Sequence, residues 1–427
     1  MEQGLGKSAL ALDEFVSMLN AGHIDGMIVI CPNSLKSNWV FEAENWGVPV
    51  KVTAWPDVVP PNTKPFIFAV NYEAMLHKGY EEVFRLARSG RVMCVLDESQ
   101  RIKNPTGKTT KKILSLRNDF SVRRTLSGTP MTNSVVDLYP QLTFISAIRT
   151  NAVSFKNRFA VMGGYLGKSV IGVQNEEELR EILDQHTFRA RKDDWLDLPE
   201  QIFPSPRAIT LTPEQKKAYR GMSDGLLAVV KGVKPGEVTP ILANLVVTQL
   251  QKLQQISSGF IIDEERRCHD LIEPIRNPKI QEVRAILDDI PGKAIVFVKH
   301  KRAVTLLLDQ LKDYGCSRLV GGMSDDEVRE EKERFNCEGG NRVLVSQASV
   351  GGVGHTLLGG PGVHRCSTTI YFENSFSLGD RLQSEARNHR AGQDRAVVYW
   401  DFAASDIDRK IIRALQKKKA LVDALLD

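Results

Sequence analysis

Residues 92–100 read VMCVLDESQ. An apolar run ends in two adjacent carboxylates, Asp97 and Glu98. A short unbroken run of this kind predicts a strand buried on both faces, as in a parallel sheet. Two carboxylates at its carboxyl end suit metal-assisted hydrolysis. Asp97 can hold Mg²⁺, and Glu98 can orient and deprotonate an attacking water. On its own the pattern is equally a strand that ends in an acidic turn.

The flanking sequence repeats the grammar. Residues 27–31 (MIVIC) and 66–70 (FIFAV) are also short and apolar, with helical patterns near 34–46 and 80–89. Strand and helix alternating in this way predict a doubly wound sheet. The pattern returns after about residue 290, with strand-like runs at 294–298, 343–346, 369–372 and 397–400 and helical patterns at 302–314, 325–335 and 378–390. The middle holds long helical patterns, such as 176–185 and 241–257, and a strand signal at 207–211. The expected class is α/β: two doubly wound parallel-sheet domains with a helical insertion between them. The expected division is 1–145, 146–275 and 276–427. Residues 406–426 place Ile411, Leu415, Val422, Leu425 and Leu426 near one helical face, which predicts a helix packed on a domain.

Three further stretches carry chemistry. Residues 1–12 read MEQGLGKSALAL. Gly4 and Gly6 let backbone N–H groups approach phosphate oxygens, Lys7 brings charge to the β- and γ-phosphates, and Ser8 can ligate Mg²⁺. Such a loop normally hangs between a strand and a helix. Here the helix follows, but the strand has no residues ahead of the loop, so a loose N-terminal wall and weakened nucleotide affinity are expected. Residues 126–133, LSGTPMTN, put two hydroxyls, Ser127 and Thr129, at the carboxyl edge of a strand, where ligands of such sheets bind. Residues 383–393, QSEARNHRAGQ, space Arg387 and Arg390 for one helical face. Two guanidiniums there can reach a γ-phosphate. A glycine-rich terminus, an ordinary turn and a solvated basic face are the plain readings of these three.

Together and in this order, the motifs resemble the helicase superfamily built on two RecA-like domains. More narrowly they are similar to the Swi/Snf-type double-stranded DNA translocases. CPNSLKSNWVFEAENW, NYEAM, FRARKDDWLDLPEQ, LTPEQKKAY, LQKLQQISSGF, LVGGMSDDEVREEKERFN and SQASVGGVGHTL extend the likeness over nearly the whole chain. The resemblance implies that Lys7, Ser8, Asp97 and Glu98 bind and hydrolyse ATP with Mg²⁺. It implies that Gly4, Gly6 and Gln383 belong to the nucleotide site, which Arg387 and Arg390 complete, Arg390 as the arginine finger. Ser127 and Thr129, with Gln100, would couple hydrolysis to DNA. Asn38, Lys103 and Asn133 lie in segments that would meet the duplex backbone. The implied function is ATP-dependent translocation on double-stranded DNA, in remodelling, repair or recombination. A strand-separating helicase and an inactive truncated DNA-binding derivative are the alternatives.

The chain departs from the family pattern. Met1 stands where an acid is usual, Ser99-Gln100 where Ala-His is usual, His355-Thr356 where an apolar residue and Asn are usual, and Ala386 where Asp is common. These differences suggest a divergent branch, bacterial or phage.

The net charge of +5 permits a polyanionic partner without demanding one. Residues 101–117 hold six basic residues and no acid, so they can neutralise phosphates or form a solvated face, and their place directly after the two carboxylates favours DNA. No aromatic interleaves them, which favours backbone tracking over base stacking. The six cysteines form no CxxC pair and read as buried free thiols. No apolar run approaches the roughly 18 residues that span a bilayer, and no signal pattern opens the chain. A cytoplasmic, nucleoid-associated protein is expected if bacterial or phage, a nuclear one if eukaryotic.

Overall fold

A computed structural model describes residues 1–163, 169–231, 240–351 and 356–426. The chain forms two compact units, Met1–Leu196 with Ala420–Asp427, and Asp197–Lys419. The segment 146–275, expected as a helical insertion, is shared between them.

The first unit is built on strands β1 (Gly26–Cys31), β2 (Val52–Ala54), β3 (Phe66–Asn71), β4 (Val92–Asp97) and β5 (Val122–Leu126). They form a parallel sheet in the order β2-β3-β1-β4-β5. Every residue of β1 and β4 is buried, as unbroken apolar runs require when helices cover both faces. β5 (VRRTL) lies at the edge and is only half-buried. Helices α1 (Lys7–Asn20), α2 (Lys36–Asn45), α3 (Lys78–Ala87) and α4 (Lys108–Ser115) cover the sheet. Val83 and Leu86 of α3 and Ile113 of α4 share one core with Ile28, Phe68 and Cys94. Gly26 has to be glycine, because a Cβ there would run into the Phe66 ring.

A parallel sheet delivers its carboxyl ends to one edge, where open α/β sheets bind ligands. Asn71, Asp97 and Leu126 end their strands there. The rest of the unit includes the antiparallel hairpin β6–β7 (Ala160–Gly163 and Ser169–Val173), which the sequence reading lacks.

The second unit contributes β8 (Gln201–Ile202), β9 (Arg207–Ala208), the hairpin β10–β11 (Phe260–Ile262 and Cys268–Asp270), β12 (Lys293–Val298), β13 (Cys316–Leu319), β14 (Val343–Gln347), β15 (Cys366–Tyr371) and β16 (Val397–Ala403). The main sheet runs β13-β14-β12-β15-β16-β8, all parallel, with β9 also on β16. Successive β12 residues face opposite sides. Ala294, Val296 and Val298 enter one core and Ile295 and Phe297 the other.

Two buried lysines brace this unit. Lys293 Nζ donates to Phe335 O (2.6 Å) and Cys337 O (2.7 Å), capping the carboxyl end of the helix Asp325–Asn336. Lys279 Nζ lies 3.5 Å from the Asp408 carboxylate, with both side chains buried.

Some expected boundaries moved. The helical pattern 378–390 stops early, at Leu378–Glu385. Beyond it, Asn388 donates to Thr369 Oγ1 (3.0 Å), and Gln393 to Cys366 O (3.0 Å), drawing the chain onto β15. Arg387 and Arg390 therefore sit in a turn, not on one helical face. The pattern 302–314 ends at Gln310 and continues as a short 3₁₀ turn, Lys312–Tyr314. The last helix, Asp406–Leu426, buries Ile411 and Leu415. Cys31, Cys94 and Cys366 are buried, but Cys268 and Cys337 are exposed. Among the described residues no helix is long and apolar enough to cross a membrane.

Candidate nucleotide site and its coupling loops

Gly4 (φ 86°) and Gly6 (φ 74°) take left-handed backbone that glycine favours, and α1 begins at Lys7. Its first turn carries no acid, leaving the amino end of the helix to an anion. Lys7 Nζ folds over its own loop and donates to Glu2 O (2.9 Å) and Met1 O (3.4 Å). Ser8 is the second residue of α1. The Gln3 amide lies over Gly128, where a Cβ would come within 2.6 Å of it. The missing Cβ lets the loop that holds Gly4 and Gly6 pack on the turn 127–129.

A contact that sequence reasoning missed ties this loop to the arginine-rich turn of FRARK. Glu2 N donates to Ala190 O (3.0 Å), and Lys192 N donates to Glu2 Oε2 (2.8 Å).

The carboxylate pair sits at the end of β4. Trp39 Nε1 donates to Asp97 Oδ2 (2.9 Å), the Glu98 amide to Asp97 Oδ1 (3.0 Å), and Tyr72 OH to the Asp97 carbonyl (2.9 Å). Burial and the neighbouring Glu98 charge push Asp97 up to about 6, against the pull of Trp39 and Lys7. The Lys7 charge only partly offsets burial and the neighbouring carboxylate. Glu98 has φ 52° and ψ 52°, a conformation rare for a residue with a side chain. The sharp turn aims its side chain away from the strand direction.

From Glu98 a chain of hydrogen bonds leads to the next strand. Gln100 Nε2 donates to Glu98 Oε2 (2.5 Å), Ser127 Oγ donates to Gln100 Oε1 (2.7 Å), and Thr129 N donates to Ser127 Oγ (3.0 Å). Thr129 Oγ1 is buried without a partner. Beyond it, Asp137 Oδ2 accepts from Thr132 N (2.9 Å), Thr132 Oγ1 (3.0 Å) and Asn133 N (2.7 Å). Lys103 Nζ reaches this turn, donating to Thr132 Oγ1 (2.9 Å). Asn38 sits elsewhere, half-buried on α2, one residue before Trp39.

The second unit gathers its own positive charge. Arg387 is buried and donates through Nε to Gln383 O (2.9 Å). Lys332, which the sequence reading did not single out, is held below its usual range by burial and by the charges of Arg390 and Arg387. The Glu333 charge acts on Lys332 in the opposite direction. His355 lies outside the described residues.

Two protein-family models match the chain. The SNF2-related domain family covers residues 2–259, and the helicase conserved C-terminal domain covers residues 278–392. The chain belongs to the SNF2-related family. It is 25% identical to the chromatin remodeling factor mit1 of Schizosaccharomyces pombe, over 98% of this chain and 31% of that protein. It is 24% identical to the ATP-dependent helicase brm of Drosophila melanogaster, over 98% of this chain and 27% of that protein. It thus spans about a third or less of these two relatives. Among solved structures, the Sulfolobus solfataricus SWI2/SNF2 ATPase core in complex with dsDNA is 22% identical with a TM-score of 0.41. The match covers 99% of this chain and 87% of that one.

Within this SNF2-related chain, the unusual residues are accommodated locally. The Ser99 hydroxyl is buried and donates to Gln141 Oε1 (2.7 Å), whose amide donates to Pro130 O (2.7 Å). Gln100 both donates and accepts, as the relay needs. Glu385, beside Ala386, pairs with the buried Arg381 at 2.6 Å. Arg381 also pairs with Asp401 and lies 3.6 Å over the Tyr371 ring.

Proposed function

We propose that this SNF2-related chain is an ATP-driven translocase on double-stranded DNA, acting in remodelling, repair or recombination. The single observation that carries the proposal is the bonded path from Glu98 through Gln100 and Ser127 to Thr129. It joins the Glu98 carboxylate to Thr129, three residues along the same loop from Thr132, to which Lys103 donates, and a change at one end would be felt along that loop. A DNA-coupled ATPase needs such a link, and a plain ATPase does not.

In this reading Lys7 and the first-turn amides of α1 hold the β- and γ-phosphates, with Gly4 and Gly6 allowing close approach. Ser8 and Asp97 would hold Mg²⁺. An oxygen donor set and a buried acid whose charge is disfavoured both fit a hard divalent cation. When bound, the metal neutralises phosphate charge. Glu98 orients the attacking water and takes its proton, while Gln100 fixes the Glu98 oxygen it donates to. Arg390 and Arg387, with Gln383, supply positive charge to the transferred phosphate. Lys103, Asn133 and Asn38 meet the duplex backbone without reading sequence. The departures at Ser99, Gln100, Thr356 and Ala386 lead us to infer a divergent branch, bacterial or phage.

The test is steady-state ATP turnover with and without duplex DNA. Turnover that duplex stimulates and Glu98→Gln abolishes supports the proposal. Turnover indifferent to duplex overturns the coupling, and strand separation in a fluorescent unwinding assay replaces translocation by a helicase.

A further inference from the structure

The basic segment 101–117 does not form one strip. Lys103 turns to Thr132, Arg101 lies 3.7 Å from Glu73, and Arg117 donates to Leu114 O at 2.9 Å. The lysines of α4 go elsewhere. Lys108, Lys111 and Lys112 line an open cleft of about 680 Å³ with Leu76, His77 and Tyr80. Lys103, Asn133 and Asn38, given above to the duplex by name, do not line it; its three lysines come from the segment 101–117 that can neutralise phosphates.

This cleft has an unusual charge balance. No carboxylate lines it. Lys108, Lys111 and Lys112 are exposed and make no ion pair among the described residues. All three lie in an eight-residue helix whose first turn holds no acid; Lys108 at its amino end opposes the helix dipole, and Lys112 in its last turn favours it. Lys112 gains the Tyr80 ring, while Lys108 and Lys111 have no ion-pair partner among the described residues. The rest of the lining sets Leu76 and the Tyr80 ring beside His77 and Ser115. Leu76 is 43% exposed, and the Tyr80 ring lies 3.9 Å under the Lys112 ammonium and stacks with the exposed Phe84.

We propose that this cleft docks an acidic peptide that carries an apolar anchor side chain. Charge complementarity calls for an anionic occupant, and its volume suits a few side chains. A duplex backbone offers phosphates to the lysines but nothing to bury Leu76 and the Tyr80 ring. Carboxylates flanking a leucine or phenylalanine satisfy the lysines and these apolar groups at once, in the pattern of a buried anchor with a polar rim. Charge alone would leave Leu76 and the Tyr80 ring unused.

The experiment titrates the full chain against a short fluorescein-labelled peptide of glutamates around a Leu-Phe pair, read by anisotropy. An all-glutamate peptide and a labelled duplex serve as the other two probes. The expected result is binding of the first peptide that falls about tenfold or more in Lys111→Glu/Lys112→Glu, and also in Leu76→Ser, with duplex affinity unchanged. Matching melting curves by circular dichroism show that the variants are folded. Absence of peptide binding overturns the proposal. So does a parallel fall in duplex affinity, which assigns the lysines to the DNA track. Equal binding of the all-glutamate peptide with no effect of Leu76→Ser overturns it too, leaving charge as the sole attraction.

Discussion

Replacing Gln100 by leucine keeps the volume and removes both polar contacts. Gln100 Nε2 lies 2.5 Å from a Glu98 oxygen, and Gln100 Oε1 accepts from Ser127 at 2.7 Å. The first bond is to a charged group, and such bonds are worth about 1.5–3 kcal/mol. If that energy holds Glu98 only in the DNA-engaged state, its loss appears in the stimulated rate. At about 1.36 kcal/mol per decade, 1.5–3 kcal/mol is a loss of roughly 10–100-fold. The assay is steady-state ATP turnover with saturating duplex and without it. The expected outcome is a stimulated rate that falls 10–100-fold while the DNA-independent rate changes much less. Gln100→His restores most of the stimulation, because a neutral imidazole donates from one nitrogen and accepts at the other. A Gln100→Leu protein with undiminished stimulation refutes the relay. Equal losses with and without duplex also refute coupling, and leave Gln100 as a support for Glu98 alone.

Three further outcomes are expected. Trp39→Phe removes the indole N–H from Asp97 while keeping an aromatic ring; nucleotide binding in the presence of Mg²⁺, followed with a fluorescent ATP analogue, should weaken about 10-fold, about 1.4 kcal/mol, with little change when Mg²⁺ is absent. Lys279→Met leaves Asp408 buried without its cation and should cost about 3–5 kcal/mol in urea unfolding, whereas Lys312→Met at an exposed position should cost under about 0.5 kcal/mol. Burial alone would raise the Glu373 carboxyl, but the His300 charge, its side-chain bond and the backbone amides of Lys299 and His300 outweigh it and hold the group at about 2. A depressed acid stabilises the fold above its ordinary value of 4.5 and loses that contribution as the pH falls toward 2, so urea unfolding should show an acid loss of up to about 3 kcal/mol that is absent in Glu373→Gln.

The sheets were legible because their central strands are apolar runs with nowhere to go but inside. MIVIC, FIFAV and VMCVL were all found, and the structure extends them by a residue or so. β5 has Arg123 and Arg124 in place of apolar residues, so only the motif after it betrayed the strand. β2 and β13 are edge strands of three and four residues, too short to carry a period. The break after Glu385 was hidden because residues 386–390 have no glycine or proline. What ends the helix is a pair of tertiary bonds from Asn388 and Gln393 to β15.

The candidate site divides along the same line. Residue types name the groups that can do chemistry, and Lys7, Asp97 and Glu98 are proposed from their motifs. What no motif states is the left-handed turn at Glu98. With ordinary strand backbone its side chain would alternate to the face opposite Asp97. At φ 52° it instead meets the Gln100 amide two residues on. The conformation costs on the order of 1 kcal/mol or more in a residue with a side chain. Glu98→Gly would relieve that cost but also delete the carboxylate, so strain and chemistry cannot be separated at this position by substitution alone. Ser127→Ala separates them one step away: it leaves the backbone of Glu98 untouched and removes the donor to Gln100 Oε1. If the turn alone orients Glu98, Ser127→Ala behaves as wild type in ATP turnover with duplex. If the bonded path is required, it reproduces the Gln100→Leu defect, and combining the two substitutions adds nothing further.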